Sequence, residues 1–321
     1  MTALLVDRVT WEADGVVSVR LRARPGTDPV LPAWEPGAHL ELVLPSGLIR
    51  QYSLCGDPTD RTSYTVAVLR EAAGRGGSAE IHDSALVGRL VEVRGPRNHF
   101  ALEPAPHYVF VAGGIGVTPI LAMVREADRA GVPWRLHYGG RTRSSMAFIS
   151  RLQSLAALAG SASAERVTIC PQDEVGLLDL DAIVGASPPD AVVYACGPEG
   201  LLRAAQVAGE GATPPRPVRV ERFAAAAPVA TSGDAFEVEL RRSGITVKVP
   251  ADRSMLDAIR EVVPDVPWSC EEGYCGTCET RVLAGAADHR DDVLTPAQRA
   301  AGELVMICVS RAATPVIALD L

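Results

Sequence analysis

The chain has 321 residues, of which 47% are hydrophobic, and its formal net charge is −8 at pH 7. This length allows two or three domains with separate cores, and the acidic balance argues against nucleic acid as a partner. No run of roughly 18 apolar residues and no signal-peptide pattern occurs, so we expect no membrane span and a cytoplasmic location. We also expect a monomer. Seven cysteines without an export signal favour metal binding or catalysis over a disulfide framework.

Residues 1–103 have the pattern of an antiparallel β-barrel. Alternating apolar and polar residues run through 16–23, 39–44, 63–70 and 89–95, and Gly and Pro separate these runs. Many short strands between turn signals are typical of such a barrel.

Residues 104–227 change to strands that alternate with helices. Predicted strands at 108–114, 134–140, 166–170 and 191–197 are interrupted by predicted helices, including 117–130 and 145–158. This alternation predicts βαβ units and a parallel α/β sheet.

Residues 228–235 are small, polar and contain Pro, as expected of a linker before a last domain at 236–321. That domain begins with a predicted hairpin (236–250) and a short helix (254–263), with Ser254 as a possible N-cap. From residue 228 onward the chain has 15 acidic and 9 basic residues, a net charge of −6. This acidity predicts either a solvated surface or a docking face for a basic partner.

Four cysteines in the last domain, Cys270, Cys275, Cys278 and Cys308, have the spacing C-x4-C-x2-C-x29-C. Zinc would favour two close pairs and a redox pair would need no outlying cysteines, whereas this spacing is that of a plant-type [2Fe–2S] cluster. Gly273 and Gly276 would let the loop turn tightly around it. The segment resembles a plant-type ferredoxin, which implies a β-grasp fold and four cysteine ligands. The glutamates beside Cys270 are candidates for partner contact, and a solvated loop is equally compatible with them.

Two motifs in the middle segment point to a dinucleotide. "GGIGVTPI" (113–120) follows an apolar strand and opens a helix, but Pro119 stands where a standard fingerprint has Gly. The acidic residue expected about 20 positions later is missing, and Arg141 and Arg143 are found instead. Together with "YACGPEGLL" (194–202), the first motif resembles the pyridine-nucleotide domain of the ferredoxin reductase superfamily. The resemblance implies that the nucleotide contacts Gly114, Gly116, Thr118, Pro119, Cys196, Gly197 and Pro198, with Cys196 at the reacting carbon.

The first segment contains "RQYSLCG" (50–56), which resembles the flavin motif of the same superfamily. The resemblance implies that Arg50, Gln51, Tyr52 and Ser53 contact the flavin, with Ser53 at its reactive edge. "GRGGS" (74–78) would form a phosphate site through Gly76, Gly77 and Ser78 at a helix start. The aromatic Phe223, at the end of the middle segment, is a further candidate flavin contact.

The order of flavin, nucleotide and [2Fe–2S] segments resembles the phthalate dioxygenase reductase family, which uses FMN. That resemblance implies an enzyme that takes hydride from NADH and passes single electrons to a terminal oxygenase, most simply a Rieske oxygenase. A flavin fits between the two chemistries because it accepts electron pairs and releases single electrons. A cytochrome P450 as the partner, a pure electron carrier with a vestigial nucleotide domain, and a ferric or quinone reductase are alternatives. NADPH is also possible, because Arg141 and Arg143 could receive its 2′-phosphate.

Overall fold

The computed structural model of the chain describes residues 2–72, 74–158, 166–224 and 232–321. It divides into two compact units, Met1–Glu221 and Arg222–Leu321. Part of the predicted linker, 228–231, lies outside the described residues. The domain boundaries expected from the sequence stay predictions.

The first unit begins with an antiparallel sheet in the order β4-β3-β6-β1-β2-β5, as the alternating runs predicted. Its strands are β1 (Thr2–Ala13), β2 (Val16–Ala23), β3 (Ala38–Val43), β4 (Ile49–Ser53), β5 (Ser63–Leu69) and β6 (Leu90–Asn98), with helix α1 (Gly77–Asp83) before β6. One face of the alternating strands is buried in an apolar cluster that includes Leu21, Leu40 and Val66. Burial of one face holds the register, because a shift by one residue would expose that face.

The second part of the same unit is a parallel sheet in the order β11-β10-β7-β8-β9. Its strands are β7 (His107–Gly113), β8 (Trp134–Gly140), β9 (Val167–Pro171), β10 (Ala191–Cys196) and β11 (Val218–Glu221). Its helices are α2 (Val117–Arg129), α3 (Ile149–Leu158), α4 (Gln172–Val175), α5 (Leu180–Gly185) and α6 (Glu199–Gly211). The strand order reverses between β7 and β10, and ligands of such sheets bind at the carboxyl ends beside that point.

The helices beside this sheet differ from the prediction in two respects. The helix expected from residue 145 begins at Ile149, because Phe148 has φ 64° and a left-handed residue cannot join a helix. The short helices α4 and α5 were not predicted, since four and six residues are too few to show a helical period.

The antiparallel and parallel sheets share one apolar core. Phe100, at the end of the first sheet, packs edge-on against Tyr194 of β10 with ring centroids 5.5 Å apart. Cys55 and Ala67 of the first sheet belong to the same buried cluster as Phe110 of β7. This continuous burial explains why the flavin and nucleotide segments form one compact unit.

The second unit has a mixed sheet in the order β13-β12-β18-β14-β16 and a small β15-β17 pair. Its strands are β12 (Phe236–Leu240), β13 (Ile245–Val249), β14 (Glu279–Ala284), β15 (Ala287–Asp288), β16 (Leu304–Met306), β17 (Arg311–Ala312) and β18 (Val316–Leu319), and its helices are α7 (Met255–Arg260) and α8 (Pro296–Ala301). The Ser254 side chain accepts the Asp257 amide, which confirms the predicted N-cap. Among the described residues, no helix is long and apolar enough to cross a membrane.

Candidate functional site

Two glycine turns of the first unit pack directly against each other at the switch point of the parallel sheet. A Cβ on Gly116 would lie 2.2 Å from the carbonyl oxygen of Cys196 and 2.6 Å from the amide nitrogen of Gly197. A Cβ on Gly113 would lie 2.8 Å from Cδ of Pro198. The two motifs quoted from the sequence therefore form one surface at the carboxyl ends of β7 and β10, where nucleotides bind in such folds.

The residues that were predicted to contact the nucleotide differ in how accessible they are to a ligand. Gly114 adopts φ 54° and begins a single 3₁₀ turn, Gly114–Gly116. Thr118 is 2% exposed, and its hydroxyl donates to the carbonyl of Ile115 at 3.0 Å. Thr118 and the buried Pro119 thus hold the shape of the turn. Direct contact of these residues with the nucleotide stays a prediction.

Three side chains from different strands converge beside these turns. The carboxylate of Glu221, at the end of β11, accepts a hydrogen bond from Ser53 at the end of β4. Its Oε2 also lies 4.0 Å from Sγ of the buried Cys196, whose backbone pairs with Glu221. Burial raises the pKa of Glu221 to about 8, and burial together with the Glu221 charge raises that of Cys196. The raised pKa values favour the protonated carboxyl group of Glu221 and the thiol form of Cys196.

Glu221 was not among the residues predicted from the sequence. A single carboxylate on a short strand has no local signature, and its burial beside Ser53 is visible only in the folded chain. The roles of Ser53 and Cys196 stay predictions, and Glu221 joins them as a candidate.

The expected flavin phosphate site is a glycine cradle against Arg50. A Cβ on Gly77 would lie 2.5 Å from Cγ of Arg50, so only glycine lets this side chain pass. Gly76 has φ 85° and precedes α1, while the Arg50 guanidinium donates to the carbonyl of Arg75 at 2.6 Å. Ser78, also predicted here, accepts the amide of Glu71 at 3.1 Å. A guanidinium held beside a glycine turn suits a phosphate group.

The other two flavin candidates lie on opposite faces of β4. Burial raises the pKa of Tyr52, which packs against the apolar cluster of the first sheet. The Gln51 amide donates to Glu41 at 3.2 Å, and Glu41 also pairs with Arg97 at 2.9 Å. This buried polar network was not predicted from the sequence. It anchors Gln51 to β3, and contact of Gln51 or Tyr52 with a flavin stays a prediction.

The four predicted cluster cysteines of the second unit are brought together and buried. Cys270, Cys275, Cys278 and Cys308 are between 3% and 7% exposed. Hydrogen bonds from the thiols of Cys275 and Cys308 hold the pKa of Cys270 below its usual range. The Glu272 amide donates to Sγ of Cys270 at 3.3 Å. A donor set of four close thiols with amide support suits an iron–sulfur cluster. Cys308 stands in the turn after β16.

Backbone geometry explains how the cysteine loop holds its shape. Gly273 and Gly276 have φ 77° and 74°, as the predicted tight turns require. A Cβ on Gly273 would lie 2.7 Å from Val309, and the Gly273 carbonyl accepts the Asp292 amide at 2.8 Å. The buried Asp291 accepts the amide of Leu294 at 2.8 Å and fixes the segment beside Gly273. Asp291 is thus a supporting residue that sequence reasoning missed.

The remaining predicted residues are exposed. Phe223 belongs to the second unit and is 38% exposed, and its contact with a flavin stays a prediction. Glu271, a candidate for partner contact, pairs with Arg260 at 3.3 Å, and Arg260 also lies 3.9 Å from the ring of Trp268. Arg141 and Arg143 follow β8, and Arg143 pairs with Glu174.

A parallel nucleotide sheet, a flavin-type β-sheet and a four-thiol loop define a reductase that moves electrons from a nucleotide to an iron–sulfur centre. Residues 238–313 match the family model "2Fe-2S iron-sulfur cluster binding domain", and residues 110–207 match "Oxidoreductase NAD-binding domain". The protein is an NAD(P)H-dependent oxidoreductase.

Relatives extend this similarity over the whole chain. The beta subunit of phenoxybenzoate dioxygenase from Ectopseudomonas oleovorans is 46% identical over 99% of this chain and 97% of its own length. A solved structure of phthalate dioxygenase reductase, described as transferring electrons from pyridine nucleotides to [2Fe–2S], is 36% identical, with a TM-score of 0.68 over 99% of this chain and 97% of its own. An intact type IV self-sufficient cytochrome P450 monooxygenase is 42% identical, with a TM-score of 0.88 over all of this chain. The chain spans 41% of that P450 chain.

The chain belongs to the phthalate dioxygenase reductase family, as the order of its three segments predicted. Its cofactors are FMN, a pyridine nucleotide and a [2Fe–2S] cluster. The described residues fit each of these groups. The glycine cradle beside an arginine fits FMN, the two packed turns at the sheet switch point fit the nucleotide, and the four buried thiols fit the cluster.

Proposed function

We propose that this protein is the reductase component of an oxygenase system. It takes hydride from NADH and delivers single electrons, through its iron–sulfur domain, to a terminal oxygenase. The observation that supports this most strongly is that one chain combines the Ser53, Cys196 and Glu221 constellation with four buried thiols. FMN, when bound, supplies the conversion between electron pairs and single electrons.

The residues of the first unit have separate tasks in this proposal. The packed turns at Gly116 and Gly197 orient the nucleotide, because a fixed backbone surface holds a reacting atom within about 3–3.5 Å of its target. Arg50 and the Gly76–Gly77 turn hold the FMN phosphate. Cys196 and Ser53 line the reacting edge, and Glu221 positions Ser53 there through its hydrogen bond.

A Rieske oxygenase is the partner that we propose first. The 46% identical relative is named as a dioxygenase subunit and is matched over 97% of its length. We also propose that the protein acts as a monomer in the cytoplasm. None of the seven cysteines forms a disulfide, as expected in a reducing compartment.

A cytochrome P450 is a second candidate partner, and a specific observation favours it. The P450 monooxygenase structure superimposes with a TM-score of 0.88, and this chain corresponds to 41% of it. A P450 and a Rieske oxygenase both accept single electrons, so the reductase alone does not distinguish them.

An anaerobic experiment tests both parts of the proposal. NADH is mixed with the FMN-loaded protein, and bleaching of the flavin absorbance is followed, with iron–sulfur reduction in the same trace. We expect both changes. If NADH leaves the flavin oxidised, the chain is an electron carrier with a vestigial nucleotide domain. A purified Rieske oxygenase and a purified P450 are then offered in parallel, and reduction of the P450 alone would overturn the Rieske assignment.

A further inference from the structure

Two loops meet at the carboxyl edge of the parallel sheet, one after β8 and one after β9. The two strands are paired up to Gly140 and Pro171, and the Asp173 amide donates to the carbonyl of Arg141 at 3.2 Å. The loops therefore stay side by side just beyond the strand ends. This is the region of an open α/β sheet where the adenosine ribose of a dinucleotide is recognised.

An ion pair with two hydrogen bonds joins these loops. Nε of Arg143 donates to Oε1 of Glu174 at 3.0 Å, and a terminal guanidinium nitrogen donates to Oε2 at 2.6 Å. Local structure holds the position of each partner. Thr142 and Ser145 form a capping box around Arg143, whereas Glu174 lies in α4. Their hydrogen bond raises the pKa of Arg143 and lowers that of Glu174, so both remain charged near neutral pH.

Charges of both signs stand in these two loops. Arg141 and Arg143 follow β8, Asp173 and Glu174 follow β9, and the charge of Asp173 also acts on Arg143. A carboxylate that accepts hydrogen bonds from two guanidinium nitrogens occupies the donors that would otherwise bind a phosphate. A 2′-phosphate, with a charge of about −2, would have to displace Glu174 and would then lie beside two carboxylates. A ribose hydroxyl is neutral and can donate to a carboxylate.

We propose that Glu174 is a specificity-determining residue that selects NADH over NADPH by holding Arg143. The Glu174 carboxylate competes with the 2′-phosphate for Arg143, and its negative charge repels the phosphate. This inference rests on the proposed function, because it concerns the nucleotide that donates the hydride. Glu174, in α4 after β9, thus takes the place of the acidic residue that is missing about 20 positions after the glycine motif.

The test compares dissociation constants of NAD⁺ and NADP⁺ by titration calorimetry on the FMN-loaded protein. In Glu174→Gln, Arg143 is released and one negative charge is removed, so the affinity for NADP⁺ relative to NAD⁺ should rise on the order of tenfold. The double variant Arg143→Gln/Glu174→Gln should lose that gain, since no guanidinium remains to bind the phosphate. The pair is half exposed, at 51% and 42%, so its removal should leave the fold intact.

Asp190→Asn is the matched control. Asp190 is 54% exposed and pairs with His107 at the opposite edge of the same sheet. The control variant therefore removes the same charge, but far from the carboxyl ends of the strands. Its relative affinity for NADP⁺ should match the wild type. An unchanged ratio in Glu174→Gln, or a gain that persists in the double variant, would overturn the inference. Failure of the proposed function would be seen differently, as flavin that neither nucleotide reduces while the binding ratios still respond.

Discussion

At the scale of single residues, the main effect of burial is on the pKa of the Glu221 carboxyl group. Burial raises its pKa from 4.5 to about 8, and the hydrogen bond from Ser53 opposes part of that rise. The folded chain therefore binds a proton more tightly than the unfolded chain does. The stabilisation from this proton is complete below about pH 4.5 and is lost as the pH rises through about 8.

We predict that Glu221→Gln removes this pH dependence, because an amide cannot ionise. The melting temperature of the variant, relative to the FMN-loaded wild type, should rise on the order of 5 °C between about pH 5 and about pH 8.5. Thermal denaturation at several pH values measures the difference. Glu103→Gln is the control, since Glu103 is an exposed partner of Arg219, and its difference should stay constant. A constant difference for Glu221→Gln would contradict the raised pKa.

Arg50 is expected to hold FMN through its phosphate. Arg50→Ala should weaken FMN binding by about ten- to a hundredfold, as expected for the loss of a charged hydrogen bond. Flavin fluorescence on dilution measures the dissociation constant. Arg242→Ala removes an exposed arginine that pairs with Asp320 in the second unit, and it should retain FMN. Equal retention in both variants would remove Arg50 from the flavin site.

At the scale of elements, the nucleotide site is a contact between two turns. The β7–α2 and β10–α6 connections approach so closely that residue 116 has no room for a side chain. This contact also explains why the glycine motif lacks the standard third glycine. The close approach that matters here is between the two turns, while the buried Pro119 lies inside the first turn of α2.

We predict that Gly116→Ala separates the two turns. Its Cβ would lie 2.2 Å from the backbone oxygen of Cys196, so the backbone must move, and stability should fall by about 1–3 kcal/mol. Nucleotide affinity should fall as well. Gly200→Ala is the control in the adjoining α6, where a new Cβ meets no atom within 4 Å. Chemical denaturation should show Gly200→Ala unchanged or more stable, and equal stabilities would argue against the contact.

At the scale of the whole molecule, the chain separates two kinds of chemistry. The first unit holds the residues expected to bind flavin and nucleotide, and the second holds the four thiols. Each unit has its own core, so damage to one site should leave the other intact.

Cys275→Ser tests this separation. We predict that the variant loses the [2Fe–2S] absorbance and the reduction of an oxygenase, while NADH still bleaches the flavin and reduces ferricyanide. Cys170→Ser, a half-buried thiol of the first unit, should keep every activity. Reduction of the oxygenase by Cys275→Ser would show that electrons bypass the cluster.

The sequence was sufficient to predict the fold class, the family and the cofactors. The spacing of the four cysteines is a local property of the chain, and an iron–sulfur cluster constrains it directly. The change from alternating strands to strand–helix repeats is equally local, because the period of side-chain burial differs between strands and helices. Short helices and exact boundaries were predicted less well, since a few residues carry too little periodic signal.

What the sequence by itself determined is therefore the set of parts: two sheet types, two glycine turns, an arginine for a phosphate and four cluster ligands. Only the tertiary structure decided which distant residues meet. Glu221 hydrogen-bonds Ser53, 168 positions away, and Glu174 pairs with Arg143, 31 positions away. Such pairs have no fixed spacing, because they depend on strand order and on the burial that brings them together. The pKa of Glu221 and the charge balance beside the nucleotide site are properties of that packing.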